Sequence, residues 1–299
     1  MVHLLILVLA AATPKPPPAP GVDPSTVSNP YASIERLTGL RGQFVGTSGA
    51  FKVTEPRTDL HVTVAGVKLV PAQGLASWAT FAQSGEHTVV MGDLCMTEDQ
   101  VNAVMTVALD EGLQVTALHN HFFWDTPKVM FMHIGGQGTT EALATAVGKV
   151  FAMIRQTAGG KGVVPKADID AAKSKIDPAP IEAILGHPGE LSGGIYKVTW
   201  GRTTQMEGHE MGSAMGVNTW AAFAGTNARA VVDGDFAMRE PELQNVLKAL
   251  RHGGLSVVAI HQHMTGESPR ILFLHYWGVG PVTKLAKALQ AGLAQTQLE

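Results

Sequence analysis

Apolar positions along this chain switch between two periods, and each switch marks an element. Residues 60–64 and 67–70 run apolar or alternating about Ala65-Gly66, the pattern of a β-hairpin. Residues 89–91 read as a strand leading into Gly92-Asp93, where glycine and aspartate suggest a turn. The period then becomes helical. Thr97-x-x-Gln100 forms a capping box, Val101, Val104, Met105, Ala108 and Leu109 make one apolar face, and Gly112 ends it. Two strands follow at 113–121 and 128–134, joined by a loop at 122–127. A last helix runs from 139 to about 154 on Leu143, Val147 and Val150.

The series then repeats. Ile34-Glu35, in a short helix between Pro30 and Gly39, returns as Ile181-Glu182 between Pro178 and Gly186, 147 positions on. Phe51-Lys52-Val53-Thr54 matches Tyr196-Lys197-Val198-Thr199 at 145, and Arg57 matches Arg202. From Gly74-x-x-x-Trp78-x-x-Phe81 against Gly216-x-x-x-Trp220-x-x-Phe223 the displacement settles at 142. A second helix with Pro241 in its first turn uses Leu243, Val246, Leu247 and Leu250 and stops at Gly253-Gly254. A final one from Pro281 uses Leu285, Leu289 and Leu293. The expected fold is therefore α+β: two homologous repeats, at 30–156 and 178–299, joined by a linker at 157–177. Each would be a mainly antiparallel sheet with helices packed on one side, and the pair related by a pseudo-twofold axis.

Composition narrows the function classes. With 45% hydrophobic residues in 299 the chain can bury a core, and a net charge of −3 leaves no basic footprint for nucleic acid. Cys95 is the only cysteine, which excludes an intrachain disulfide and a cysteine-based zinc site, so any metal must be held by histidine and carboxylate. Residues 1–12 are an apolar run closing on Ala10-Ala11-Ala12, read as a signal peptide and too short to span a membrane. Residues 13–29, opening Thr13-Pro14-Lys15-Pro16-Pro17-Pro18, read as a stiff tether. Export to the periplasm, cell surface or medium is the expectation.

The candidate chemistry lies in histidines. Six of the twelve fall in two matched registers, His119, His121 and His133, then His261, His263 and His275, each pair 142 apart. His119 and His121 stand at i and i+2 on a strand, so both side chains leave one face, roughly 6.5 Å apart at the backbone. His133 on the next strand can approach the same face. Three imidazoles with an optional acid suit zinc or a similar divalent metal with an open position. Asp125 and Glu267, in the loops between these strands, are the candidate oxygen ligands or general bases. Arg57 and Arg202 are weaker candidates for an anionic or sugar group. Asp93 and Asp235 are read mainly as turn residues, and Trp78, Phe81, Trp220 and Phe223 as core. Trp124 and Trp277 are placed to stack on a sugar ring or to pack. His61, His87, His187, His209 and His252 have no histidine counterpart in the other repeat and are read as incidental.

Met91-Gly92-Asp93-Leu94, Leu118-His119-Asn120-His121 and Val129-Met130-Phe131-Met132-His133, with Gly234-Asp235-Phe236, His261-Gln262-His263 and Leu272-Phe273-Leu274-His275, resemble the LppY/LpqO family. The resemblance spans 34–293. It implies a duplicated domain of unknown function in exported bacterial proteins, and supplies no reaction. Lipoprotein members carry a lipidated cysteine that this sequence lacks, so the expected mature protein is free of lipid. The leading expectation is a metal-dependent hydrolase of the cell envelope acting on a saccharide or amide, with a small-molecule or saccharide ligand and no nucleic acid or membrane span. The alternative is a non-catalytic metal-binding or ligand-binding envelope protein.

Overall fold

The computed structural model describes residues 31–46 and 49–297; the leader at 1–12 and the tether at 13–29 lie outside the described residues. Repeat one runs α1 (Ala32–Thr38), β1 (Gly42–Val45), β2 (Ala50–Pro56), β3 (Thr63–Val64), β4 (Val67–Lys68), β5 (Ala76–Ser84), β6 (His87–Thr97), α2 (Glu98–Asp110), β7 (Gln114–His119), β8 (Asp125–Thr126), β9 (Val129–Gly138) and α3 (Thr140–Thr157). Repeat two runs α4 (Ala179–Leu185), β10 (Glu190–Ser192), β11 (Ile195–Gly201), β12 (Thr204–Met206), β13 (His209–Met211), β14 (Asn218–Thr226), β15 (Arg229–Arg239), α5 (Leu243–His252), β16 (Ser256–His261), β17 (Ile271–Gly280) and α6 (Val282–Leu293).

A separate main sheet is expected for each repeat; a single main sheet runs through both. Twelve antiparallel strands follow the order β1-β2-β5-β6-β9-β7-β16-β17-β15-β14-β11-β10, which reads the same repeat elements from either end. Each repeat alone would end on β7 or β16, an open row of backbone donors and acceptors. The two edges join instead, with Leu118 opposite Ile260. Both strands carry an irregularity just before this point, at Val115/Ala117 and Val257/Ala259. The backbone freed there is met by a side-chain amide from the other repeat. Asn102 of α2 accepts from Val257 N at 2.8 Å and donates to Val257 O at 3.2 Å. Gln244 of α5, its counterpart, does the same for Val115 at 2.9 Å in both directions. Reciprocal hooks of this kind bury backbone groups at the seam without leaving them unpaired.

The six helices line one face of the sheet. Alternation decides what they cover: Leu94, Met132 and Ile134 in repeat one, and Phe236, Leu274 and Tyr276 in repeat two, belong to a single buried cluster with Val104, Val147, Leu247 and Leu289. The helix predicted from Thr97 begins at Glu98, with the Gln100 side chain accepting from Thr97 N at 3.0 Å. Residues of opposite parity face the other way. There the small β4-β3-β8 sheet covers Cys95, Val129 and Phe131, and the β12–β13 hairpin lies by Ala237, Ile271 and Phe273. The rest of that face is open. Among the described residues no helix is long and apolar enough to cross a membrane.

Candidate metal centres

Strand register builds the site on the open face. In repeat one Asp93 of β6 stands opposite His133 of β9, and His133 opposite Ala117 of β7. One step along, Cys95 stands opposite Phe131 and Phe131 opposite His119. Directly opposed residues in an antiparallel pair share a face, so the register brings Asp93, His119 and His133 together. His121 lies just past the end of β7 and folds back onto Phe131, ring centroids 3.3 Å apart and nearly parallel. The His119 ring then lies 5.2 Å from His121 and 5.1 Å from His133. Repeat two copies this: Asp235 opposes His275, Phe273 opposes His261, and His263 stacks on Phe273 at 3.5 Å. Its His261 ring is 5.1 Å from His263 and 4.7 Å from His275.

The donor atoms converge most closely in repeat two. Asp235, His261 and His263 each offer one atom, all within 4.8 Å of one another. His263 Nε2 is 3.2 Å from Asp235 Oδ2, and His275 Nδ1 is 4.0 Å from Asp235 Oδ1. His263 Nδ1 lies 3.2 Å from Gly216 O, a bond it makes only as donor. That leaves Nε2 of a neutral ring with its lone pair turned toward a carboxylate oxygen. Two lone pairs at this distance repel unless a proton or a cation sits between them. His275 Nδ1 is likewise 3.3 Å from Gly234 O. Backbone carbonyls in this position fix imidazole orientation around metals. Asp235 Oδ1 and His261 Nδ1 are buried with no hydrogen-bond partner, as is Asp93 Oδ1 in repeat one. An unpartnered buried group costs about 1–3 kcal/mol, and two in one cluster with a third at the matching place in the other repeat point to something that occupies them.

Burial also sets protonation. It drives His261 down to about 4, helped by the nearby His275 and His263 charges, so its ring is the neutral, ligating form at pH 7. His121 is lowered by burial, against Asp93 and with His119 and His133. Burial raises Asp235, with His275 and His263 pulling it back. Cys95, under the β4-β3-β8 sheet, is pushed by burial up to about 12, an inert thiol.

The other sequence candidates fall in different places. Asp125 and Glu267 are not at exposed loop tips: both are buried, with Asp125 Oδ2 accepting from Val129 N at 2.8 Å and Glu267 Oε1 from Ile271 N at 3.2 Å. Each closes its own loop, while Asp125 Oδ1 and Glu267 Oε2 are buried without a partner. Arg57 and Arg202 are buried ties between sheet and helix. Arg57 donates to Asp59, Cys95 O and Gln100; Arg202 donates to Glu242, Ala237 O and Gln297 O. Neither is free for an anionic ligand. Phe81 and Phe223 are core as expected, but Trp78 and Trp220 oppose Asp93 and Asp235 and so share the open face. Trp124 is 71% exposed on its loop, and Trp277 is half-buried on β17.

Asp93 and Asp235, for which a turn is the main expectation from sequence and a place in the site only the lesser alternative, belong to the cluster. Gly92-Asp93 and Gly234-Asp235 form no turn; they lie inside the strands β6 and β15. The glycines serve packing on the helix side. A Cβ on Gly92 would sit 2.7 Å from Trp78 O and 2.9 Å from the Ile134 side chain, and one on Gly234 2.1 Å from Trp220 O. Only the matching of Gly-Asp in both repeats signalled them.

Fold and site together define a class: an α+β protein of two fused repeats, each bringing three histidines and an aspartate to the open face of a shared sheet. The chain belongs to the family described as Domain of Unknown Function (DUF1259), whose profile matches twice, over residues 32–153 and 179–295. No curated protein matches. Among solved structures, a trimeric bacterial microcompartment shell protein, PduB, is 12% identical over 85% of this chain and 89% of its own, with a TM-score of 0.19. At that TM-score the likeness carries no argument.

Proposed function

We propose that each repeat holds one divalent metal ion, zinc by preference, through Asp93, His119, His121 and His133 in repeat one and Asp235, His261, His263 and His275 in repeat two. The observation that carries this is His263, whose Nδ1 is committed to Gly216 O while Nε2 faces Asp235 Oδ2 at 3.2 Å. A mixed nitrogen and oxygen set without sulfur suits zinc and other borderline divalent ions. When bound, such an ion supplies Lewis acidity toward a carbonyl or a water. Phe131 and Phe273 back the His121 and His263 rings and hold them at the site. The activity this arrangement suits is hydrolysis of a saccharide or amide in the cell envelope, with Asp125 and Glu267 as candidate bases through their unpartnered oxygens. A non-catalytic metal-binding role in the same compartment uses the same donors. Export, the domain limits 30–156 and 178–299, a pseudo-twofold axis through the seam and membership of the LppY/LpqO group belong to the same reading.

Elemental analysis tests it. Protein stripped of metal and titrated with zinc takes up to two ions per chain, and His121→Ala or His263→Ala each removes about one. No uptake by the folded wild type would overturn the proposal. Mass spectrometry of the native protein tests export, with a mature N-terminus at Thr13 expected and an intact Met1 against it.

A further inference from the structure

Beside the donor sets the two repeats diverge. In repeat one the Lys52 ammonium sits 4.3 Å from the centre of the Trp78 ring. Trp78 opposes Asp93, which opposes His133, so cation, ring, carboxylate and imidazole lie side by side on one face. The next row is bare. Met91, 65% exposed, opposes Gly135, and a Cβ on Gly135 would meet only Val90 O at 3.7 Å. Among the described residues Lys52 has no carboxylate in ion-pair range.

Repeat two has the same pair, Lys197 over Trp220 at 4.5 Å, but its next row is filled. Asp233 stands where Met91 does and Trp277 where Gly135 does, and these two oppose each other. Asp233 and Lys197 flank Ala222 in one register row, so this lysine already faces an acid. One shelf is open beside its lysine; in the other the same row carries an acid and an indole.

We propose that the shelf of repeat one, formed by Lys52, Trp78, Met91 and Gly135 beside Asp93 and His133, binds a small ring-bearing ligand that carries an oxyanion, and that the equivalent place in repeat two does not. Lys52, seated on an aromatic face and lacking a counter-ion, supplies the charge. Trp78 and Met91 supply apolar surface for the ring, and Gly135 the room. The inference rests on the Asp/His cluster being the functional site, and it names the chemistry that site would receive.

Calorimetric titration of the zinc-treated full chain with D-glucose, D-glucuronate and glucose 6-phosphate tests it. One anionic sugar per chain should bind at least about tenfold tighter than glucose, and the two anionic arms separate a carboxylate from a phosphate ligand. Lys52→Met should erase the preference, Lys52→Arg keep it, and Lys197→Met leave it unchanged. Gly135→Trp, which copies repeat two, should block binding while the melting temperature holds. Binding of none of the three, equal binding of all, or equal loss from Lys52→Met and Lys197→Met would overturn the proposal. Metal content on the same samples separates the two readings. Metal without anion preference removes this inference alone, and a Lys52-dependent preference without metal removes only the metal proposal.

Discussion

The two repeats agree where donors converge and differ around them. His119, His121, His133 and Asp93 superimpose in role on His261, His263, His275 and Asp235, down to the Phe131 and Phe273 rings beneath. Yet His263 of repeat two stands 3.2 Å from its acid, while His133 and His275 are matched at 4.0 Å from theirs, and backbone carbonyls already orient His263 and His275. Beside them, Met91 and Gly135 answer to Asp233 and Trp277. A duplicated scaffold can thus keep one donor set while the surfaces beside it diverge. Repeat two is the preorganised copy, and repeat one the accessible one.

The largest effect that can break this comparison lies in the arginine ties. Arg202 and Glu242 are both nearly buried, with Nη1 2.6 Å from the carboxylate, whereas Asp59, the partner of Arg57, is largely open to solvent. Arg202→Ala strands a buried carboxylate and should cost about 3–5 kcal/mol in thermal or denaturant unfolding. Arg57→Ala should cost clearly less, and equal losses would erase the asymmetry. The pH dependence follows. Burial works to raise Glu242, but Arg202 and the Gln297 and Arg239 backbone N–H groups outweigh it, so its folded pKa lies below the ordinary 4.5. A depressed folded pKa means stability that is complete above pH 4.5 and is lost as pH falls through the folded value. Arg202→Ala should remove that acid sensitivity.

Next come the seam hooks, where the repeats should behave alike. Asn102→Ala and Gln244→Ala each unpair one backbone N–H and one C=O, for an expected loss of about 1–3 kcal/mol in denaturant midpoint. A loss from only one of them would mean that the halves do not share the seam equally. Glu267→Gln is gentler. It retains an acceptor for Ile271 N, so melting should shift little and metal content not at all; under the hydrolytic reading turnover falls by a factor on the order of 10² to 10⁴. An unchanged rate with lowered stability would make Glu267 a loop residue. Smallest is His252, whose sequence counterpart is Asp110 and which pairs with it across the seam at 2.8 Å in the open. His252→Ala should cost less than about 1 kcal/mol, and less still in high salt.

Much of this was legible in the chain, for physical reasons. A strand period of two places His119 on the open face, whereas His121, beyond the strand end, joins it by folding back onto Phe131, and helical periods read correctly because Val101, Val104, Leu143 and Val147 all face one core. The fused sheet was not legible, since an edge strand and an interior strand share one alternation, and only pairing at Leu118 and Ile260 tells them apart. Asp93 and Asp235 hid because glycine before aspartate resembles a turn. Here the glycine yields space to Ile134 or Tyr276 while the strand runs on. The size of Trp78 and Trp220 suggests burial in the core, whereas their register sets them beside the acids. The ties of Arg57 to Cys95 O and Gln100 and of Arg202 to Glu242 could not be foreseen, those partners lying far away in sequence, although Asp59 is only two positions from Arg57.

Zinc stoichiometry in wild type, Asp93→Asn and Asp235→Asn tests the central claim most directly. Two ions in the wild type and one in each variant, with Asp235→Asn removing the tighter, is the predicted result. Full retention of both ions in both variants would take the aspartates out of the site, and a wild type that binds none would contradict the account altogether.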